Sequence, residues 1–135
     1  MQREACISCL RRHEMNCAET VLKVLGEKYN LDLTKEEMKL ISAFGGGVCG
    51  DMCGALCGAL AALGKYHVFD CAHKTNNFDD SCREFVTFFQ EEMGFLTCTE
   101  LYDKYATEEE GCLETVLRTL EVYERYRMKE EKKRL

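Results

Sequence analysis

The stretch Gly45-Gly-Gly-Val-Cys-Gly-Asp-Met-Cys-Gly-Ala-Leu-Cys-Gly58 decides how this sequence is interpreted. Within it, Cys49, Cys53 and Cys57 recur at every fourth position, and each is followed by a glycine. Residues four apart lie on one face of an α-helix, so the spacing predicts a helix with three thiols beside a strip that lacks side chains. This pattern suits a soft metal or thiol redox chemistry, and it also suits small buried side chains in a packed helix.

The sequence around this stretch predicts further helices. A helical pattern runs from Arg3 or Glu14 to Tyr29, and the central helix is expected over Val48 to Leu63. Capping-box patterns predict helix starts at Thr34, Thr97 and Thr107, and a helix capped by Asp79 or Asp80 is expected to stop at Gly94. We therefore predict an all-α fold, a single-domain helical bundle of about five helices over residues 1–135. Its central Gly/Cys-rich helix is buried, and residues 122–135 form a charged helical tail.

Composition restricts the class of protein. The chain has 135 residues, ten cysteines, no proline and a formal net charge of −6, which argues against a nucleic-acid partner because such proteins usually carry a basic surface. The start of the chain has no apolar signal-peptide region, and the weakly polar run from Met52 to Gly64 is too short for membrane insertion. We expect a cytoplasmic protein in which most cysteines are reduced thiols or metal ligands.

Some cysteines and histidines lie outside the central stretch. Cys6-Ile-Ser-Cys9 has the CxxC spacing of a chelating or redox pair, without the βαβ context of thioredoxin-like proteins. Cys71-Ala-His73 could supply accessory ligands from a loop, and Cys82 is expected on an amphipathic helix. His13 and His67 have no evident partner in the sequence.

The chain resembles the C_GCAxxG_C_C family, whose members are described as redox-active. The resemblance rests on Cys17 in Asn-Cys-Ala-Glu-Thr-Val, the glycines before Cys53-Gly-Ala-x-x-Gly58, and the later Cys98 and Cys112. It implies that Cys17, Cys53, Cys98 and Cys112 are the key cysteines. A related segment in split-Soret cytochromes is associated with an iron–sulfur centre, which makes an iron–sulfur cluster the cofactor that the resemblance implies.

Three functions are consistent with these features. The first is a redox protein that binds a metal centre, an iron–sulfur cluster or alternatively zinc, through Cys17, Cys53, Cys98 and Cys112, for electron transfer to a redox partner protein. Cys49 and Cys57 are alternative or additional ligands. The second is a thiol–disulfide oxidoreductase or redox sensor that uses the same thiols. The third is a helical interaction protein, a homodimer for example, with structural cysteines and no cofactor. Whether the chain is an enzyme stays open.

Helix geometry limits what the central stretch does alone. Three cysteines spaced by four residues would span about 12 Å along a helix axis, which is too far for one tetrahedral ion. We expect the stretch to form one wall of a site, with Cys53 as its contributor. We also expect the helix N-terminus after the triple glycine to lower the thiol pKa of Cys49 and Cys53.

Overall fold

The chain is all-helical, as the sequence predicts. A computed structural model describes residues 2–134, and within that range it contains seven α-helices and no strand. The helices are α1 (Gln2–Ile7), α2 (Cys17–Lys28), α3 (Lys35–Lys39), α4 (Gly54–His67), α5 (Phe78–Met93), α6 (Cys98–Tyr105) and α7 (Leu113–Arg134). A π-helical turn follows α1 at Ser8–Arg12, and short 3₁₀ turns lie at Ser42–Phe44 and Ala72–Lys74. The number of helices therefore exceeds the predicted five.

The first predicted helix is split in two. The π-helical turn ends at Arg12, and Glu14 has a φ of +52°, a left-handed conformation that a continuous helix does not contain. A new helix then starts after Asn16, whose side chain accepts a hydrogen bond from the backbone N–H of Glu19 at 3.0 Å. The Glu19 carboxylate accepts the return bond from the N–H of Asn16, which completes a capping box.

The central helix begins six residues later than predicted. It starts at Gly54 instead of Val48, because the preceding residues turn repeatedly through the left-handed region. Four of them have a φ between +58° and +73°, namely Gly46, Gly47, Gly50 and Asp51. Cys49, Cys53 and Cys57 therefore do not share one helical stripe, and the expected row of three thiols is wrong.

Helices α2 and α4 pack closely against each other in the core. A Cβ atom added to Gly58 would lie 2.5 Å from the carbonyl oxygen of Ala18, so this glycine allows the two backbones to approach. Most of the first half of α4 is buried, as are Val21 and Leu25 on the facing helix. The burial predicted for the Gly/Cys-rich helix is present in the shorter helix that forms.

The second half of the core is built by α5 and α7. Phe85 of α5 packs edge-on against Tyr123 and Tyr126 of α7, with ring centroids 5.9 and 5.2 Å apart. Gly94 ends α5 with a φ of +96°, as predicted, whereas the N-cap of this helix is Asn77 and not Asp79 or Asp80. Residues 122–134 of the predicted charged tail form the continuous end of α7, with Val122, Tyr123 and Tyr126 buried, and Leu135 lies outside the described residues.

One predicted helix start proves to be a turn. The hydroxyl of Thr107 accepts a hydrogen bond from the N–H of Glu110 at 3.0 Å, but the chain then closes a turn to Gly111 before α7 begins at Leu113. Within residues 2–134, every helix is too short or too polar to cross a lipid bilayer.

Candidate functional site

Four cysteines from distant parts of the chain line one small hollow. We call it the thiol cavity, and its volume is about 20 Å³. Its lining residues are Cys17, Cys53, Gly54, Cys98, Leu101, Tyr102, Cys112 and Thr115. The four cavity cysteines, as we call them below, are the same four that the family resemblance singles out. The structure therefore brings together residues that are separated by up to 95 positions, from Cys17 to Cys112.

Each of the four cavity cysteines lies at the N-terminus of a helix. Cys17 and Cys98 are the first residues of α2 and α6, and Cys53 is the N-cap of α4. Cys112 directly precedes α7, and its carbonyl accepts a hydrogen bond from the N–H of Val116 at 3.0 Å. Helix N-termini carry unpaired N–H groups and a partial positive charge. Each of the four termini therefore contributes a partial positive charge at the cavity.

A short antiparallel contact places Cys53 beside Cys98. The N–H of Cys53 donates to the carbonyl of Leu96 at 2.9 Å, and the N–H of Cys98 donates to the carbonyl of Asp51 at 2.6 Å. The Asp51 carboxylate also accepts hydrogen bonds from the hydroxyl and N–H of Thr99, at 2.9 and 3.2 Å. These bonds join the start of α4 to the start of α6, which is why residues 45 positions apart share a wall.

Two glycines make room for the sulfur atoms. A Cβ atom on Gly54 would lie 2.5 Å from the Cys17 Sγ, and one on Gly47 would lie 2.8 Å from the Cys98 Cβ. Gly47 also has a φ of +73°, which a larger residue adopts only with strain. The glycines that follow a cysteine in the sequence thus have different roles, since Gly54 faces the thiol cavity and Gly58 faces α2.

Burial favours the protonated form of three cavity thiols, Cys53, Cys98 and Cys112. It raises the pKa of Cys53 to about 12 and that of Cys112 to about 11, and it also raises the pKa of Cys98. The backbone N–H groups of Leu56 and Ala55 favour the Cys53 thiolate, but this effect is smaller than the cost of desolvation. The lowered pKa expected for Cys53 is therefore wrong, because the helix N-terminus is buried.

Cys17 interacts electrostatically with each of the other three cavity cysteines. The Cys17 thiol contributes to the raised pKa of Cys53, Cys98 and Cys112, because a second thiolate nearby would repel the first. Among the described residues that line the cavity, none is a lysine, arginine or histidine that could neutralise a thiolate. A positive charge has to come from a bound species if several of these thiols are to ionise together.

The four cavity cysteines are chemically suitable ligands for a soft metal, but their side chains do not surround an ion position. Thiolates are the preferred ligands of zinc and of iron–sulfur clusters. Within residues 2–134, however, no group of three or more His, Cys, Asp or Glu side chains is placed so that it could hold a metal ion. A cavity of about 20 Å³ has room for roughly one water molecule. A cluster of several atoms would require the cavity walls to move apart.

The other two cysteines of the central stretch lie outside the cavity. Cys49 is exposed in the turn before α4, and Cys57 is buried one turn into that helix. Burial raises the pKa of Cys57, and the nearby Cys49 and Cys17 add to the shift. Cys57 therefore lies close to the thiol cavity without lining it. It lines a second, larger hollow that is described below.

The remaining cysteines and histidines are scattered. Cys6 and Cys9 are buried at the junction of α1 and the π-helical turn, and burial raises the pKa of Cys6 to about 11. Three further side chains lie away from the thiol cavity. Cys71 and His73 lie at the 3₁₀ turn Ala72–Lys74, and Cys82 is half-buried on α5. His67 does have a partner, since its Nε2 lies 3.2 Å from the Glu130 carboxylate.

Several residues of the site are not evident from the sequence. Asp51 holds the starts of α4 and α6 together, and Leu101, Tyr102 and Thr115 close the cavity. The Asn16–Glu19 capping box was a readable sign that Cys17 opens a helix. Asp51, by contrast, acts on residues far along the chain, and no local pattern indicates that contact.

Comparison with known proteins identifies a family. A family model described as "Putative redox-active protein (C_GCAxxG_C_C)" matches residues 15–126. The matched region includes the four cavity cysteines and excludes Cys6 and Cys9. No curated protein and no solved structure matches the chain.

Proposed function

The chain belongs to the C_GCAxxG_C_C family, and from the geometry of its thiol cavity we propose that it is an electron-transfer protein whose redox centre is a metal held by Cys17, Cys53, Cys98 and Cys112. The observation that carries the proposal is the convergence of four helix N-termini, each with a cysteine, on one cavity. An iron–sulfur cluster is the expected form of the centre, because four thiolates are its usual ligands.

The chain's own residues have defined tasks in this proposal. The four thiols lose their protons on binding and become anionic ligands, which is the general requirement for metal binding by cysteine. The helix N-termini stabilise the negative charge that these thiolates bring into a buried place. Leu101 and Tyr102 line the cavity, and the buried side chain of Leu101 adds an apolar wall. When bound, such a centre supplies one-electron transfer, and a redox partner protein is needed to exchange the electron.

Anaerobic purification tests the proposal. The protein is expressed with iron, isolated without oxygen, and analysed for iron, zinc and acid-labile sulfide together with its visible absorption. We expect iron and sulfide in the wild type, and their loss when any one of the four cavity cysteines is replaced by serine. Cys71→Ser and Cys82→Ser are matched controls, because these thiols lie outside the cavity and should leave the metal content unchanged. A colourless protein without iron or zinc, even after anaerobic reconstitution, would contradict the proposal.

A second candidate is thiol–disulfide exchange by the same four residues. It is favoured by four thiols that line one cavity although, within residues 2–134, no three ligand side chains are placed so that they could hold an ion. Two cavity thiols would form a disulfide, losing two protons and two electrons, while a disulfide of a partner protein is reduced to two thiols. Differential alkylation and mass spectrometry distinguish the two candidates. Exchange predicts one defined pair that opens with reductant and forms again with a small-molecule disulfide.

A further inference from the structure

A second hollow lies against the flank of α4. We call it the apolar pocket, and its volume of about 550 Å³ is far larger than that of the thiol cavity. The two hollows share no lining residue. Most of its wall is hydrophobic and comes from Leu22, Leu33, Leu40, Ile41, Phe44 and Leu60. A concave volume of roughly 300–1,000 Å³ with apolar walls is typical of small-molecule sites.

The mouth of the apolar pocket exposes large hydrophobic side chains. Leu40 is 77% exposed and Phe44 is 38% exposed, although Ile41 between them is buried. These residues belong to the short segment that contains α3 and the 3₁₀ turn at Ser42–Phe44. An apolar molecule in the pocket would cover surface that otherwise contacts water, which favours binding.

The charged groups of the apolar pocket restrict the chemistry of its occupant. Among the described lining residues, Glu37 and Lys65 are charged, and they are paired with each other at 2.6 Å. A carboxylate next to Lys65 would also lie beside Glu37 and be repelled by it, and a cation next to Glu37 would be repelled by Lys65, whereas a neutral group meets neither repulsion. Lys65 keeps further N–H donors beyond the one given to Glu37, so it can also donate to a neutral oxygen acceptor.

We propose that the apolar pocket binds an uncharged, largely apolar small molecule that carries a carbonyl group. The hydrophobic body would pack between α4 and the Leu40–Phe44 segment, and the carbonyl oxygen would accept a hydrogen bond from Lys65. The proposal does not depend on the redox centre, because the two hollows have separate linings.

Three related probes test this chemistry on the whole chain. 2-Acetylnaphthalene has the apolar body and the carbonyl, 2-ethylnaphthalene lacks the carbonyl, and 2-naphthoate replaces it with a charge. Binding is measured by probe fluorescence and by calorimetry. We expect one molecule of 2-acetylnaphthalene per chain, bound at least about tenfold more tightly than either analogue, because hydrogen bonds to charged groups are the stronger ones. Tighter binding of 2-naphthoate, or equal binding of all three, would overturn the proposal.

Matched variants locate the site. Ala61→Phe fills the pocket and should weaken 2-acetylnaphthalene binding at least tenfold, whereas Val48→Phe adds the same ring at an exposed position outside the pocket and should leave binding unchanged. Lys65→Met should remove the preference for the carbonyl probe. If Ala61→Phe does not fold by circular dichroism, Leu40→Ser at the exposed mouth should still weaken binding several-fold. Unaltered binding in the folded pocket variants would refute the assignment. The assignment would also be refuted if the protein formed a concentration-dependent dimer and the dimer did not bind the probe.

Discussion

Cys53 and Cys57 are one helical turn apart, yet they line different hollows. The thiol cavity is small and receives four helix N-termini, whereas the apolar pocket is large and is walled by helix flanks and hydrophobic side chains. Backbone N–H groups are unpaired at a helix N-terminus and paired along its flank. Cys53 at the N-cap meets the partial positive charge of the helix N-terminus, whereas Cys57, one turn later, lies on the flank of the helix.

The difference shows why burial alone does not define a reactive cysteine. Cys6, Cys53 and Cys57 are all buried, and burial raises the pKa of each. Of these three, only Cys53 shares its surroundings with three other thiols from distant elements. The chemical distinction lies in the neighbours that the fold supplies, and the following predictions test it in order of decreasing effect.

The largest expected difference is between two serine replacements in the same segment. Cys53→Ser removes a cavity thiol and should abolish the iron and sulfide content and the visible absorption of the anaerobically prepared protein. Cys57→Ser changes a thiol of the apolar pocket and should retain the iron, the sulfide and the visible absorption. Metal analysis and absorption spectra of the two variants provide the measurement. Equal loss in both variants would remove the distinction between the two hollows.

The two ends of α4 should respond oppositely when glycine is replaced. The methyl group of Gly54→Ala would meet the Cys17 Sγ at 2.5 Å and the carbonyl oxygen of Phe44 at 3.0 Å, so we expect destabilisation of about 1–3 kcal/mol. Gly64→Ala meets nothing closer than Phe78 at 3.9 Å and should stabilise by up to about 1 kcal/mol through helix propensity. Urea unfolding of both variants measures the free energies, and equal signs would contradict the packing argument.

Alkaline pH should destabilise the metal-free, reduced protein. Because burial raises the pKa of Cys53 to about 12 and of Cys112 to about 11, the unfolded chain releases thiol protons first, near its ordinary value of 9.0. The stability from these thiols is complete below that value and is lost as pH rises through the folded-state pKa. The free energy of unfolding falls by at most about 1.4 kcal/mol per pH unit for each thiol.

A cysteine-to-alanine pair isolates this pH effect. Urea unfolding between pH 8 and 10.5 should show a shallower fall in stability for Cys53→Ala than for the wild type. Cys71→Ala, which removes an exposed thiol outside both hollows, should keep the wild-type slope. Parallel slopes for all three proteins would show that ionisation of Cys53 does not contribute.

The smallest expected effect concerns the link between α4 and α6. Asp51→Ala removes the carboxylate that accepts hydrogen bonds from the hydroxyl and N–H of Thr99 in the first turn of α6, and loss of a side-chain acceptor at a helix N-terminus costs about 0.5–2 kcal/mol. We expect that cost in urea unfolding, together with faster alkylation of Cys98, because α6 is then held less firmly. Thr75→Ala removes a local hydroxyl contact away from both hollows and serves as the control.

Much of the helical architecture could be predicted from local patterns. The all-α class, the end of α5 at Gly94 and the start of α6 after Thr97 follow from residues that act on their immediate neighbours. The start of α4 was mistaken because the four-residue cysteine spacing imitates a helix. Its glycines instead allow turns with positive φ at Gly46, Gly47 and Gly50.

The sequence by itself determined the all-helical class and the cysteine pattern by which the family is recognised. Only the tertiary structure decided which thiols meet, because Cys17, Cys53, Cys98 and Cys112 lie in four separate elements and converge through helix packing and the Asp51–Cys98 contact. It also decided the sign of the pKa shift at Cys53. A helix N-terminus favours a thiolate, but desolvation is set by everything packed around it, and no local pattern contains that information.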